Sequence, residues 1–179
     1  FQSARELHDA LFAAGGATEA RGTNLARPLT SFVGREADLQ ARYLFAMDFH
    51  DPDRYVLLFT EDGVLDVGSG EIRGRKAIHD VIAKMPNPAA APNPQGLWPA
   101  VGRHNISNIT LKVNGNKAVG RAYWFHYAND NSKRSAAFDG FGHYEDELVK
   151  VNGQWLFSKR RIYNEQRAEW AHKGGNPAW

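Results

Sequence analysis

The chain has 179 residues, 42% of them hydrophobic and 23% charged, enough for one soluble-type domain with a sizeable core. A net charge of +2 without a basic stripe gives no ground for nucleic-acid binding, and no apolar run reaches the roughly 18 residues of a membrane span. Cysteine is absent, which excludes disulfides, thiolate metal sites and a cysteine nucleophile.

In chain order, residues 3–13 read as a short helix and "GGATEARGTN" at 15–24 as a flexible linker. Residues 1–33 are therefore expected to be an extension packed on the domain or on a neighbouring subunit. The domain itself is expected at 34–164, with a tail at 165–179. The chain begins at Phe1 without Met. A cytoplasmic protein is expected, with a mature exported chain as the alternative.

From Glu36 the spacing predicts a helix to about His50, with Leu39, Tyr43, Leu44, Ala46 and Met47 on its apolar face. Asp48 projects between Leu44 and Phe45, on the buried side. Asp51-Pro52 is an N-cap followed by proline at the first helical position. It ends the preceding helix and leaves Asp48 in its last turn. There a carboxylate opposes the helix dipole by roughly 0.3–1 kcal/mol, and unpaired burial costs several kcal/mol more. A partner must offset this, unless Asp48 turns to solvent at a frayed end.

A second helix is expected at 52–59, a strand "GVLDV" at 63–67, and a short strand at 71–73. A third helix at 74–85 has Ala77, Ile78, Val81 and Ile82 on one side. Five of the eight prolines fall between 86 and 99, in a long stiffened loop of the kind that forms lids or pocket walls. Long strands follow at 103–113, 117–128, 138–151 and 154–163. "VNGNKA" and "KVNGQW" supply Asn-Gly hairpin turns between them. Helices first and an antiparallel sheet second means an α+β fold, with the sheet curled over the helices. In the first long strand Ile109, Leu111 and Val113 share one face, and His104 has the opposite parity. Either a bulge near 106–108 switches the faces or His104 precedes the strand.

Motif searching finds no chemistry. "GSGEIRG" at 68–74 lacks dinucleotide-loop spacing and has no βαβ unit around it. There is no Walker loop, no HExxH and no G-x-S-x-G, and the seven histidines lack metal-ligand spacing. "NIS" and "NIT" at 105–110 sit in a strand pattern and are discounted as glycosylation sites. Any chemistry must come from distant residues that meet in the fold.

The segments "YLFAMDFHDPDRYVLLFTEDGVLDVGSGEIRGRKAI", "GRHNISNITLKVNGNKAVGRAYW" and "GHYEDELVKVNGQWLFSKRRI" resemble the SnoaL-like branch of the NTF2-like superfamily. The resemblance spans residues 34 to about 164. It implies a cone with a curved antiparallel sheet, N-terminal helices and an apolar pocket. Within it, the sub-branch of gamma-hexachlorocyclohexane dehydrochlorinase, scytalone dehydratase and bile acid 7-alpha-dehydratase fits best. In that sub-branch an Asp near the end of the first helix pairs with a His just before the first long strand. Asp48 and His104, in "LWPAVGRHNISN", stand at those places. The same resemblance places Tyr43 and Arg160 at pocket positions and His126 at that of a second histidine.

A dyad of this kind is suited to base catalysis. The carboxylate sets the imidazole tautomer, and the other nitrogen serves as general base, worth about 10²–10⁴-fold. Arg160 and Tyr43 are expected to stabilise charge developing on the substrate. Leu65, Trp124, Tyr144 and Ile162 are expected as pocket walls, with Trp98 among the aromatics near the mouth. The expected function is a cofactor-independent lyase acting on a small hydrophobic, ring-containing substrate. The leaving group would be water, or formaldehyde from a lignin-derived aromatic dimer. An isomerase or cyclase using the same dyad, and a non-catalytic binding or assembly module, are the alternatives. No cofactor, metal, nucleic acid or membrane is implied. A homo-oligomer, trimer or dimer, is.

Overall fold

The computed structural model describes residues 29–87 and 91–166, with side chains from Asp38 onward. The expected helix at 3–13, the linker at 15–24 and residues 167–179 of the tail lie outside them. The chain divides into two compact units, Phe1–Ser31 and Phe32–Trp179. The candidate site residues all belong to the second.

Helix α1 runs Leu29–Asp48 and helix α2 Pro52–Val56. Strands β1 (Phe59–Asp66) and β2 (Glu71–Arg73) follow, then helix α3 (Arg75–Ala83). Four long strands complete the domain: β3 (Gly102–Asn114), β4 (Lys117–Ala128), β5 (Ala137–Val151) and β6 (Gln154–Asn164). They build one curved six-stranded sheet in the order β2-β1-β6-β5-β4-β3. β1 runs parallel to β6 and the other neighbours are antiparallel. The expected second helix stops early and the first strand starts early, because Phe59 is a wholly buried core residue already paired with Phe157. Among the described residues no helix is long and apolar enough to cross a membrane.

The end of α1 is built by local chemistry. Asp51 N–H donates to Ala46 O at 2.8 Å and His50 N–H to Met47 O at 3.1 Å, a Schellman closure with His50 at φ 51°. The Asp51 side chain then caps α2 by accepting Arg54 N–H at 3.0 Å. One residue thus closes one helix and opens the next, which anchors Asp48 in the final turn.

The core lies between α1 and the inner face of the sheet. Leu39, Tyr43 and Leu44 pack with Tyr55, Phe59, Leu148 and Phe157, and α3 adds Ile78 and Ile82. The β5–β6 hairpin turns on Asn152 (φ 50°) and Gly153 (φ 82°), the left-handed pair a two-residue hairpin requires.

Candidate active site

Two bulges set which strand residues face inward. In the β3–β4 pairing Ser107 faces Tyr123 and Thr110 faces Arg121, so β3 carries one extra residue, with Asn108 at φ 52°. Period-2 alternation flips there. His104 and Ile106 face inward before the bulge, and Leu111 faces inward after it. His104 lies within the strand, opposite His126. The second bulge is in β5. His126 faces Gly140 and Tyr127 faces Phe138, leaving Asp139 as the extra residue.

The first bulge brings His104 to the end of α1. Its Nδ1 lies 2.6 Å from Asp48 Oδ1, and its backbone N–H donates to Asp48 Oδ2 at 3.0 Å. The Asp48 side chain is 6% exposed and that of His104 25%. Both carboxylate oxygens are therefore committed to one residue. Charge-assisted bonds of this kind offset the burial and the dipole penalty anticipated at position 48. They also hold the imidazole with Nδ1 protonated in its neutral form, leaving Nε2 as the basic nitrogen.

His104 borders a cavity of about 70 Å³ lined by Tyr43, Leu44, Met47, His104, Trp124, Tyr144 and Ile162. Trp124 and Tyr144 stack with centroids 6.2 Å apart, and Trp124 Nε1–H donates to Tyr163 O at 3.1 Å. Glycine makes this wall. A Cβ on Gly140 would meet the Trp124 ring at 3.2 Å, and one on Gly142 would lie 3.0 Å from Trp124 Nε1. Tyr55 O–H donates to Tyr43 O–H at 2.8 Å. Burial raises the pKa of Tyr43, against the opposing pull of Arg160, and raises those of Tyr55 and Tyr144 further. The cavity walls thus present neutral phenols.

Four expected wall residues are elsewhere. Arg160 is fully buried behind the cavity, not in it. Its Nε and Nη2 reach Asp146 at 2.8 and 2.7 Å, Nη2 also bonds Gln40, and its guanidinium lies 4.0–4.1 Å from the rings of Tyr43, Tyr144 and Phe157. Asp146 is its register partner across β5–β6, so a neutralising carboxylate is built in beside Nε and Nη2, while Nη1 is buried without a hydrogen-bond partner. Leu65 is core, 1% exposed, beside Arg160 in the sheet. Trp98 sits in the proline-rich loop, 61% exposed and outside the cavity lining, and Arg134 donates to Trp98 O and Pro99 O. His126 does not line the cavity either, but its ring stands 4.4 Å from that of His104.

Sequence reasoning missed Asp139 and Gly102. Asp139 accepts from His126 Nδ1 at 2.5 Å, and Gly102 faces the His126 ring so closely that a Cβ would fall 2.1 Å from Nε2. The unassigned Asp was visible in the sequence, but its parity in a regular strand points outward. A larger groove of about 940 Å³ lies between α1, α2 and the Asn152–Leu156 turn. It holds none of the expected site residues.

Residues 37–161 match the SnoaL-like domain family. The chain belongs to that family. Its fold is that of the NTF2-like superfamily, which suggests a small-molecule-binding or isomerase- or dehydratase-type domain. A protein of unknown function from Mycobacterium tuberculosis is 26% identical, with a TM-score of 0.63 over 79% of this chain and 81% of that one. A protein from Novosphingobium aromaticivorans, whose assignment as a scytalone dehydratase is provisional, shares 21% identity and a TM-score of 0.61 over 81% and 91% of the two chains. An NTF2-like protein with a cystatin-like fold from the same organism shares 16% identity and a TM-score of 0.63 over 95% and 96%. The last two likenesses speak to fold alone. No match is found among curated proteins.

Proposed function

We propose that this SnoaL-like protein is a cofactor-independent lyase that uses His104 as general base. The observation that carries this reading is the double grip of Asp48 on His104 at the wall of an aromatic cavity. A structural histidine needs one partner. This one has its tautomer set by a buried carboxylate and its ring at the boundary of a hollow. Nε2 removes a proton from a carbon acidified by a neighbouring carbonyl or ring, and Asp48 stabilises the imidazolium that forms. The electron pair left on carbon forms a double bond as the group on the next carbon departs.

The cavity also constrains the substrate. The cavity of about 70 Å³ is open to solvent, so it takes the reacting end of a substrate whose remainder extends outside it. The elimination proposed is water loss from a β-hydroxy carbonyl compound with an apolar or ring substituent, with formaldehyde loss from an aromatic dimer as the alternative. The test is to incubate a panel of such compounds in D₂O and follow elimination, and deuterium exchange at the acidic carbon, by NMR. Wild type should catalyse both. His104→Ala should lose at least about 10²-fold, the scale of a missing general base. Undiminished turnover in folded His104→Ala would make His104 a structural residue and end this lyase reading, whereas a wild type that transforms none of the compounds would favour a binding domain.

A further inference from the structure

The Trp124 ring stands against both His104 and Tyr144, with centroids 6.1 and 6.2 Å away, and its indole N–H is taken up by a backbone carbonyl two strands over. Trp124 pairs with Gly142 across β4–β5, and Gly142 pairs with Asn164 across β5–β6, so the indole crosses β5 to reach Tyr163 O. Two glycines on the inward face of β5 leave room for the crossing. A Cβ on Gly140 would meet the ring at 3.2 Å, and one on Gly142 would lie 1.8 Å from Tyr163 O. Glycine weakens a strand interior, and two on one face mark a close approach. Here the indole approaches from one side and the Tyr163 carbonyl from the other.

Tyr163 is the last residue but one of β6, where a strand frays unless it is tied down. It is tied on the outer face of the sheet. Its ring lies on that of His143, its register partner, with centroids 4.4 Å and planes 13° apart. Its O–H donates to Glu145 at 3.3 Å. Two residues on, Glu165 N–H donates to Phe141 O at 3.1 Å. Glu165 Oε1 lies 2.6 Å from Nδ1 of the same His143, whose side chain is 4% exposed. A carboxylate on a buried imidazole makes a strong bond. The outer face thus holds the strand end, and the inner face hangs a cavity wall on it.

We infer that Glu165 and His143 are positioning residues of the cavity. By latching the end of β6 on the outer face they fix the Tyr163 carbonyl that holds the Trp124 ring, and so set how the apolar part of a substrate lies against His104. That a substrate reacts at His104 rests on the lyase reading; that the latch holds the wall does not. The latch touches neither the base nor the reacting atoms, so it governs binding and not proton transfer. When the latch is loosened the carbonyl moves, the indole loses its acceptor, and the substrate loses its fixed wall. Asp48 still sets the tautomer of His104, and the chemical step proceeds as before once substrate is bound.

The test follows the Trp124 indole N–H by NMR, its signal identified by its loss in Trp124→Phe. Two probes are used: benzylacetone, a ring-bearing ketone with no β-hydroxyl to lose, and the β-hydroxy ketone formed from benzaldehyde and acetone. In wild type benzylacetone should shift the Trp124 signal. Glu165→Gln, and His143→Phe, which keeps a ring on Tyr163, should speed exchange of this N–H with D₂O. Both should weaken benzylacetone binding about 3–10-fold, the scale of one lost hydrogen bond, and raise KM for the β-hydroxy ketone by the same factor, with kcat within about 2-fold of wild type. Gly142→Ala, which puts a methyl where the Tyr163 carbonyl lies, should act in the same direction more strongly. In a Trp124→Phe background Glu165→Gln should weaken binding no further. Unchanged indole exchange and unchanged benzylacetone binding in folded Glu165→Gln and His143→Phe would overturn the assignment. So would a fall in kcat at constant KM, or a wild-type Trp124 signal that benzylacetone does not move. A wild type that binds benzylacetone but eliminates nothing would end the lyase reading, and the exchange and binding measurements would still decide the latch.

Discussion

Asp48 holds His104 at two points, its ring through Oδ1 at 2.6 Å and its backbone N–H through Oδ2 at 3.0 Å. The grip joins the last turn of a helix to the first turns of a strand 56 residues later. It makes the position of the imidazole a property of both elements. A rotamer change in either residue would break a bond to a buried carboxylate.

Asp48→Asn should therefore separate orientation from folding. The amide still accepts one N–H but presents NH₂ to the other, so the imidazole takes the wrong tautomer. Turnover should fall by about 10²–10⁴-fold, while the melting temperature stays close to wild type because a buried charge opposed by the helix dipole is removed as well. Steady-state kinetics and a thermal melt on the same sample decide it.

The β3 bulge sets which face His104 occupies. Asn108 adopts φ 52°, a conformation glycine takes freely, so Asn108→Gly should leave activity and stability near wild type. Deleting Asn108 should restore regular pairing and turn one half of β3 over. Either His104 and Ile106 or Leu111 would then leave the inside. Turnover should vanish and the melting temperature drop. A deletion variant with full activity would show that the bulge does not aim the base.

Arg160 and Asp146 are both 0% exposed and bound to each other. Asp146→Ala leaves a buried guanidinium without its carboxylate, which should destabilise the protein by about 3–5 kcal/mol in urea unfolding. Replacing both, with Arg160→Met and Asp146→Leu, should be less damaging than Asp146→Ala alone, since the pair is removed together. The folded fraction of each variant should keep its kcat within a few-fold. An Arg160→Met protein that is stable but inactive would return Arg160 to the substrate.

Tyr55 and Tyr144, and to a smaller degree Tyr43, hold their phenol protons more tightly folded than unfolded because burial disfavours the phenolate. Above about pH 10 the unfolded chain releases these protons while the folded chain keeps them, so unfolding gains. Their contribution to stability is fully present below that pH and is lost as pH rises through the elevated folded values. Thermal melts should weaken from about pH 10 upward, and part of the phenolate absorbance should appear only with unfolding. Complete tyrosine ionisation in the still-folded protein would contradict the burial argument.

The sequence by itself determined the local pieces. Asp51-Pro52 placed the helix junction, the Asn-Gly pairs placed two hairpins, and the helical period put Asp48 on a buried side where it needed a partner. The parity clash between His104 and Leu111 narrowed the choice to a bulge or a His104 that precedes the strand. These follow from dihedral preferences and side-chain periodicity, which act over a few residues. The tertiary structure decided what faces what. Arg160 went to the core because cross-strand register set Asp146 beside it, and no local pattern encodes register. Asp139 reached His126 because the β5 bulge cancelled the parity that a regular strand would impose. Trp98 is outside the cavity lining, and its carbonyl meets Arg134, a contact made 36 residues away. Long-range pairing fixes these partners, and period-2 reasoning fails wherever a strand carries one residue too many.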